Sequence, residues 1–140
     1  MLLCYTGASR FSGDTIGRVM RAYERGDSAI ARALDGLRSV AEQMVEALRA
    51  ADLARVGALF SENWRLQQLL DPAMSTPEMA RLERAMLDAG ALGGKAAGSG
   101  AGGSMFFLAP DDPGEARAVV RRLGMRLLPV RWALMGVRPC

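Results

Sequence analysis

Seven of the sixteen glycines fall between Gly90 and Gly103, and this run divides the chain. Before it, apolar residues recur at steps of three and four, the period of a helix face. After it they come as short runs broken by a single helical stretch. A chain divided in this way reads as α+β, with helices first and a strand–helix–strand unit second. An antiparallel sheet covered by helices on one face is the simplest way to bury all these surfaces together. At 140 residues, half of them apolar, the chain is expected to form one domain over residues 1–140 with one core.

The elements can be placed from local signals. Met1 to Thr6 reads as a strand stopped by Gly7. A helix begins near Thr15 and ends before Gly26. The clearest helix carries Ile30, Leu34, Leu37, Ala41, Met44 and Leu48 on one face, with Asp27 or Ser28 as its cap. Asp52 caps the next, whose inner face uses Leu53, Val56, Phe60, Trp64 and Gln67 or Leu70, and Asp71-Pro72 ends it. A further helix starts at Ser75-Thr76-Pro77-Glu78, with Glu78 at capping-box distance from Ser75, and buries Met79, Leu82, Met86 and Ala89 before Gly90. Ser104–Ala109 is a strand. Asp112-Pro113-Gly114-Glu115 opens a helix with Ala116, Val119, Val120 and Leu123 inward, closed by Gly124. Met125–Trp132 and Ala133–Val137 are the last strand candidates.

Charge and composition remove several function classes. The net charge is +3, and Lys95 is the only lysine. The arginines are interleaved with acids, as in Glu24-Arg25 and Arg81-Leu82-Glu83-Arg84, rather than gathered into a basic stripe, so nucleic acid is not an expected partner. With two cysteines and no histidine, a thiol–imidazole zinc site cannot be assembled, and the usual hydrolase base is missing. No apolar run approaches the ~18 residues a membrane span needs. No signal peptide is read at the start of the chain, and a reduced, cytoplasmic setting is expected.

The segment from Gly93 to Ser104 carries the main functional signal. Glycines let backbone amides approach a phosphate or a neighbouring loop closely. A flexible linker and an anion-facing loop both suit this composition. Gly98-x-Gly100-x-x-Gly103 matches the dinucleotide fingerprint in letters, but that motif needs a strand before it and a helix after it, and here the expected order is reversed. The Walker pattern fails because Gly103 is followed by Ser104 and Met105.

In context the loop resembles a known motif. A helix, then Ala89-Gly90-Ala91-Leu92-Gly93-Gly94-Lys95, then Gly98-Ser99-Gly100-Ala101-Gly102-Gly103 and an apolar strand, is similar to the third sequence motif of the GHMP kinases, named for galactokinase, homoserine kinase, mevalonate kinase and phosphomevalonate kinase. Tyr5-Thr6-Gly7-Ala8-Ser9-Arg10 with Ser12-Gly13, Ser61-Glu62-Asn63-Trp64 and Leu128-Pro129-Val130-Arg131-Trp132 resemble the branch acting on heptose phosphate and fucose. The resemblance implies a ferredoxin-like C-terminal domain whose substrate sits in a cleft shared with an N-terminal ATP-binding domain. The phosphate loop and the acidic base belong to that N-terminal domain, which is absent from this sequence. ATP and Mg2+ are implied for the complete kinase, and none is expected to be bound by this chain alone. The expected partners are the N-terminal kinase domain or a second copy of the chain, with a sugar or sugar phosphate as substrate. The sequence departs from the motif at Ala101 and Ser104, and an alanine at positive φ would be strained.

On this resemblance Gly98, Ser99, Gly100, Ala101, Gly102 and Gly103 would lie beside the phosphate loop, and Arg10, Trp64 and Lys95 are the candidate substrate contacts. Each has a plainer reading: a surface ion pair for Arg10, core packing for Trp64 and a solvated side chain for Lys95. Glu62 and Asn63 could reach a sugar hydroxyl or simply face solvent. Asp111 and Asp112 read as a helix cap rather than a carboxylate pair. No catalytic residue and no metal ligand is assigned. Two other functions stay open: a non-catalytic binding or dimerisation module derived from a kinase half, and a small-molecule sensor of the same shape.

Overall fold

The computed structural model describes residues 1–7, 13–109 and 111–131. The elements run β1 (Leu2–Tyr5), α1 (Gly13–Glu24), α2 (Ser28–Arg49), α3 (Leu53–Leu70), a one-turn 3-10 helix (Pro72–Met74), α4 (Pro77–Asp88), β2 (Gly93–Ala96), β3 (Ser104–Leu108), α5 (Gly114–Arg122) and β4 (Arg126–Leu128). The sheet order is β2-β3-β1-β4, with every neighbour antiparallel. Two strand–helix–strand crossovers joined by the β2–β3 hairpin make this the ferredoxin-like arrangement. The α+β class is therefore observed.

One face of the sheet forms the core floor. Leu2 and Cys4 stand beside Phe107 and Met105, and Ala96 pairs with Met105. Trp64, Met79, Leu82, Met86, Ala116, Val119 and Val120 cover them. Burial pushes the Cys4 thiol up to about 12, so it is an inert packing group. A smaller cluster of Val40, Ala47, Val56, Leu59 and Leu66 holds α2 against α3.

The glycine run departs from its expected form. Gly93–Ala96 is strand β2, so the bend at residues 98–103 joins two strands and not a helical layer to a sheet. Propensity argues against a glycine-rich strand. Tertiary contact explains it: a Cβ on Gly93 would stand 1.8 Å from the Gly57 carbonyl oxygen, and one on Gly94 would stand 2.2 Å from the Phe107 ring. Helix α3 therefore lies backbone to backbone against β2.

The helix faces shift for a related reason. In α2 the buried residues are Ile30, Ala33, Val40 and Ala47, with Leu37 and Met44 partly buried, while Ala41 and Leu48 face solvent. Small residues turn toward α3, which approaches closely enough that a Cβ on Gly36 would meet the Leu66 side chain at 2.9 Å. Helix α3 buries Leu59 and Leu66 as well as Val56 and Trp64, and exposes Leu53. It packs on α2 and on the sheet at once, so no single stripe describes it. Thr76, rather than Ser75, caps α4, its hydroxyl accepting from the Met79 amide at 3.2 Å. Asp27 and Asp52 cap as expected, and Asp112 accepts from the Gly114 amide at 2.9 Å. The Ala133–Val137 strand candidate lies outside the described residues.

Four helices end in the same hydrogen-bonded turn, in which the second residue past the cap donates back five positions. The donors are Asp27 to Ala22, Asp52 to Ala47, Ala91 to Met86 and Met125 to Val120. The left-handed position is glycine at Gly26, Gly90 and Gly124, but alanine at Ala51, with φ 52°. A left-handed alanine costs about 1–2 kcal/mol, partly offset because glycine loses more entropy on folding. Ala51→Gly is expected to stabilise the fold by about 0.5–1 kcal/mol, a rise of about 2–4 °C in Tm by thermal melt.

Candidate functional site

The hairpin Ala97–Gly103 stands at the end of the sheet where β1 finishes. Gly98, Gly100, Ala101, Gly102 and Gly103 all have positive φ, and Ala101 at 62° occupies the strained region expected for it. Three attachments hold the loop. The Thr6 amide and hydroxyl both donate to the Gly103 carbonyl, at 2.8 and 2.9 Å. The Ala101 amide donates to the Met74 carbonyl, and Gln67 Nε2 donates to the Gly98 carbonyl at 2.7 Å. A Cβ on Gly100 would stand 2.2 Å from the Met74 carbonyl oxygen, so only glycine allows that approach. The loop is a built turn, and the linker reading gives way.

The 3-10 helix that holds the loop is itself tied to α1. Asp71 accepts from the Ala73 amide at 2.9 Å and from Arg18 Nε at 2.6 Å, and Arg18 also donates to Thr15 Oγ1 at 3.1 Å. Burial works against the Asp71 charge, but the Arg18 hydrogen bond, the Ala73 amide and the Arg18 charge outweigh it and hold the carboxyl below its ordinary range. A continuous path of contacts thus runs from α1 through Asp71 and Met74 to Gly100. None of Thr6, Gln67, Asp71 or Met74 could be found as a loop support from sequence spacing, because the loop contacts of Thr6 and Gln67 join residues 97 and 31 positions apart.

Of the candidate substrate residues, Trp64 and Lys95 lie among the described residues, and their surroundings differ. Trp64 is fully buried, and its indole Nε1 donates to Glu83 Oε2 at 3.2 Å. It packs the core, as the plainer reading has it. Lys95 lies on β2 with its ammonium 6.0 Å from the centre of the Phe106 ring, and burial lowers its pKa. Arg10 lies outside the described residues. Ser99 and Gly100 are half-buried, and Gly98 is exposed. Glu62 is paired with Arg65 at 2.7 Å.

Burial raises the Glu83 pKa, and the Trp64 hydrogen bond only partly opposes this. A carboxyl whose folded pKa is raised binds its proton more tightly in the fold, so its contribution is fully present below the unfolded value and lost as pH rises through the folded one. Glu83→Gln keeps an acceptor for Trp64 and removes the buried charge. Its Tm is expected to exceed the parent's at pH 7 and to equal it at pH 4, as read by melts across that range.

Among the described residues no helix is long and apolar enough to cross a membrane. The model for "GHMP kinases C terminal" matches residues 44–126. A bifunctional fucokinase/GDP-fucose pyrophosphorylase of Arabidopsis thaliana is 31% identical over 82 residues, which are 59% of this chain and 8% of that protein. The L. major mevalonate kinase solved with R-mevalonate superposes with a TM-score of 0.75 at 25% identity, over 87% of this chain and 36% of that one. The Streptococcus pneumoniae phosphomevalonate kinase solved with phosphomevalonate and AMPPNP gives 0.75 at 19% identity, over 91% and 37%, and shows the fold alone. The chain therefore spans less than two fifths of these solved kinases and a small part of the fucokinase protein. With a family model over more than half its length and the matching fold beneath it, the chain belongs to the GHMP kinases, as a C-terminal domain.

Proposed function

We propose that this chain, as a single domain, is the substrate-side half of an ATP-dependent kinase acting on a sugar or sugar phosphate. The hairpin at residues 98–103 would form one wall of its phosphate-holding crevice. The observation that carries this reading is the pinned turn itself. The amides of Gly98, Ser99 and Gly100 take no protein acceptor among the described residues, and a turn with left-handed residues such as Gly98 and Gly100 can aim successive amides toward one anion. The fucokinase similarity supports the sugar branch.

The residues present fit only part of the implied ATP and Mg2+. Hairpin amides can face a phosphate, but among the described residues no three acidic, histidine or cysteine side chains gather as a metal cage. The phosphate cradle and metal ligands would come from an N-terminal kinase domain. Phosphoryl transfer depends on positioning and charge stabilisation, so half a site should lose nearly all turnover. The chain's part is to order one side of the cleft through Thr6, Gln67 and Met74.

The test is ADP release from the purified chain with ATP, Mg2+ and L-fucose, a heptose phosphate or mevalonate. No turnover above background is expected from the chain alone, and sugar-dependent turnover is expected when an N-terminal phosphate-loop domain is joined to it. Turnover by the isolated chain would reject the half-site reading; a joined enzyme acting on mevalonate and on no sugar would reject the substrate class. A second reading, a non-catalytic module that associates through its own surface, is favoured by the exposed apolar side chains of Ile16, Met20 and Tyr23 on α1.

A further inference from the structure

Helix α1 buries Thr15 and Val19 and half-buries Ala22, yet Ile16, Met20 and Tyr23 remain 53%, 52% and 53% exposed. Steps of four and three place these three side chains within about 60° of arc, beside the buried face. Three large apolar residues on one flank of a 12-residue helix form a seam of the kind that receives another helix.

The charged residues beside the seam indicate what the other helix is. Arg21 folds back along α1, so that its Nη1 lies 3.2 Å from where a Cβ on Gly17 would stand. Its guanidinium therefore sits one turn nearer the N-terminus than its own Cα. Glu24 lies on the same flank one turn the other way. Among the described residues neither Arg21 nor Glu24 forms an ion pair. In an antiparallel pairing about Met20, the level of Gly17 on one helix meets the level of Tyr23 and Glu24 on the other. Each Arg21 then faces a Glu24, twice, while Arg18 stays turned to Asp71 on the opposite flank. This helix surface is thus complementary to itself.

We propose that α1 pairs with α1 of a second copy of this chain, with Met20 on the two-fold axis, Ile16 and Tyr23 closing the seam and reciprocal Arg21–Glu24 pairs fixing the antiparallel sense. The proposal does not depend on the kinase reading. Two helices each about 18 Å long bury less than the ~1,600 Å² of a standard interface, so the dissociation constant is expected between about 10 µM and 1 mM.

Sedimentation velocity on the purified chain from about 5 µM to 2 mM spans that range. The parent is expected to pass from monomer to dimer, and Met20→Glu, which places two carboxylates at the axis, is expected to stay monomeric. Arg21→Glu and Glu24→Arg should each weaken the dimer about tenfold, since an attractive pair becomes repulsive twice. The double exchange Arg21→Glu with Glu24→Arg should return to within about threefold of the parent, a recovery that a folding defect cannot produce. All three side-chain changes are on exposed positions, and unchanged circular dichroism checks the fold. A parent that stays monomeric throughout, a Met20→Glu variant that still dimerises, or a double exchange no tighter than the single changes would each overturn the proposal.

Discussion

Gly93→Ala is expected to cost the fold about 3–5 kcal/mol, a large share of the 5–15 kcal/mol that holds a typical domain together. The added carbon would stand 1.8 Å from the Gly57 carbonyl oxygen and 2.4 Å from its carbon. Both neighbours are backbone, so no side-chain rotation relieves the overlap. Either α3 must move off β2, or β2 must leave its register with β3. The proper control is Gly124→Ala, at φ 68° with nothing within 4 Å of the new carbon. That change carries only the left-handed penalty of about 1–2 kcal/mol. Thermal melts should place Gly93→Ala at least about 10 °C below the parent, with Gly124→Ala between them. A Gly93→Ala protein melting within 2 °C of the parent would mean that α3 and β2 do not touch as described.

Trp64→Ala should be the costliest side-chain truncation, at about 3–5 kcal/mol, because a fully buried indole leaves both a cavity and lost apolar burial. It also strips Glu83 of its indole donor. Trp64→Phe separates the two effects: it keeps most of the packing volume but not the hydrogen bond. With the donor gone, only burial acts on Glu83 among the two causes of its shift, so its pKa should rise further. The loss in Trp64→Phe should therefore be larger at pH 7 than at pH 4, measured by denaturant unfolding at both. Were Trp64 a ligand contact rather than a core residue, its truncation would leave the melting temperature nearly unchanged.

The candidate site draws on the same close approaches that hold the fold. Gly57 and Gly93 bring α3 to the sheet edge, and the C-terminal part of that helix then delivers Gln67 to the Gly98 carbonyl. Asp71 follows directly, capping the 3-10 helix whose Met74 carbonyl receives Ala101. A defect at Gly93 should therefore disturb the hairpin as well as the core, although the two glycine positions that matter most, 93 and 100, touch different partners.

Local chemistry was sufficient for much of this architecture. The caps Asp27 and Asp52, the left-handed stops Gly26, Gly90 and Gly124, and the inward faces of α4 and α5 depend on residues within a few positions of one another. Backbone geometry and amphipathic period act over that range, so the α+β class and most helices were readable directly. The order of residues around Gly98–Gly103 is likewise local, and it resembles the motif of the kinase family. Only the folded chain decided that Gly93–Ala96 is a strand, that α2 turns Ala33 and Ala47 inward and Ala41 and Leu48 outward, and that Trp64 is core. Those outcomes depend on the backbone of α3 meeting β2 across 36 residues of sequence, from Gly57 to Gly93, and on long-range supports reaching the hairpin. Periodicity and propensity report a helix's own faces; they carry no information about how closely a distant backbone will approach, and that distance set which glycines the fold requires.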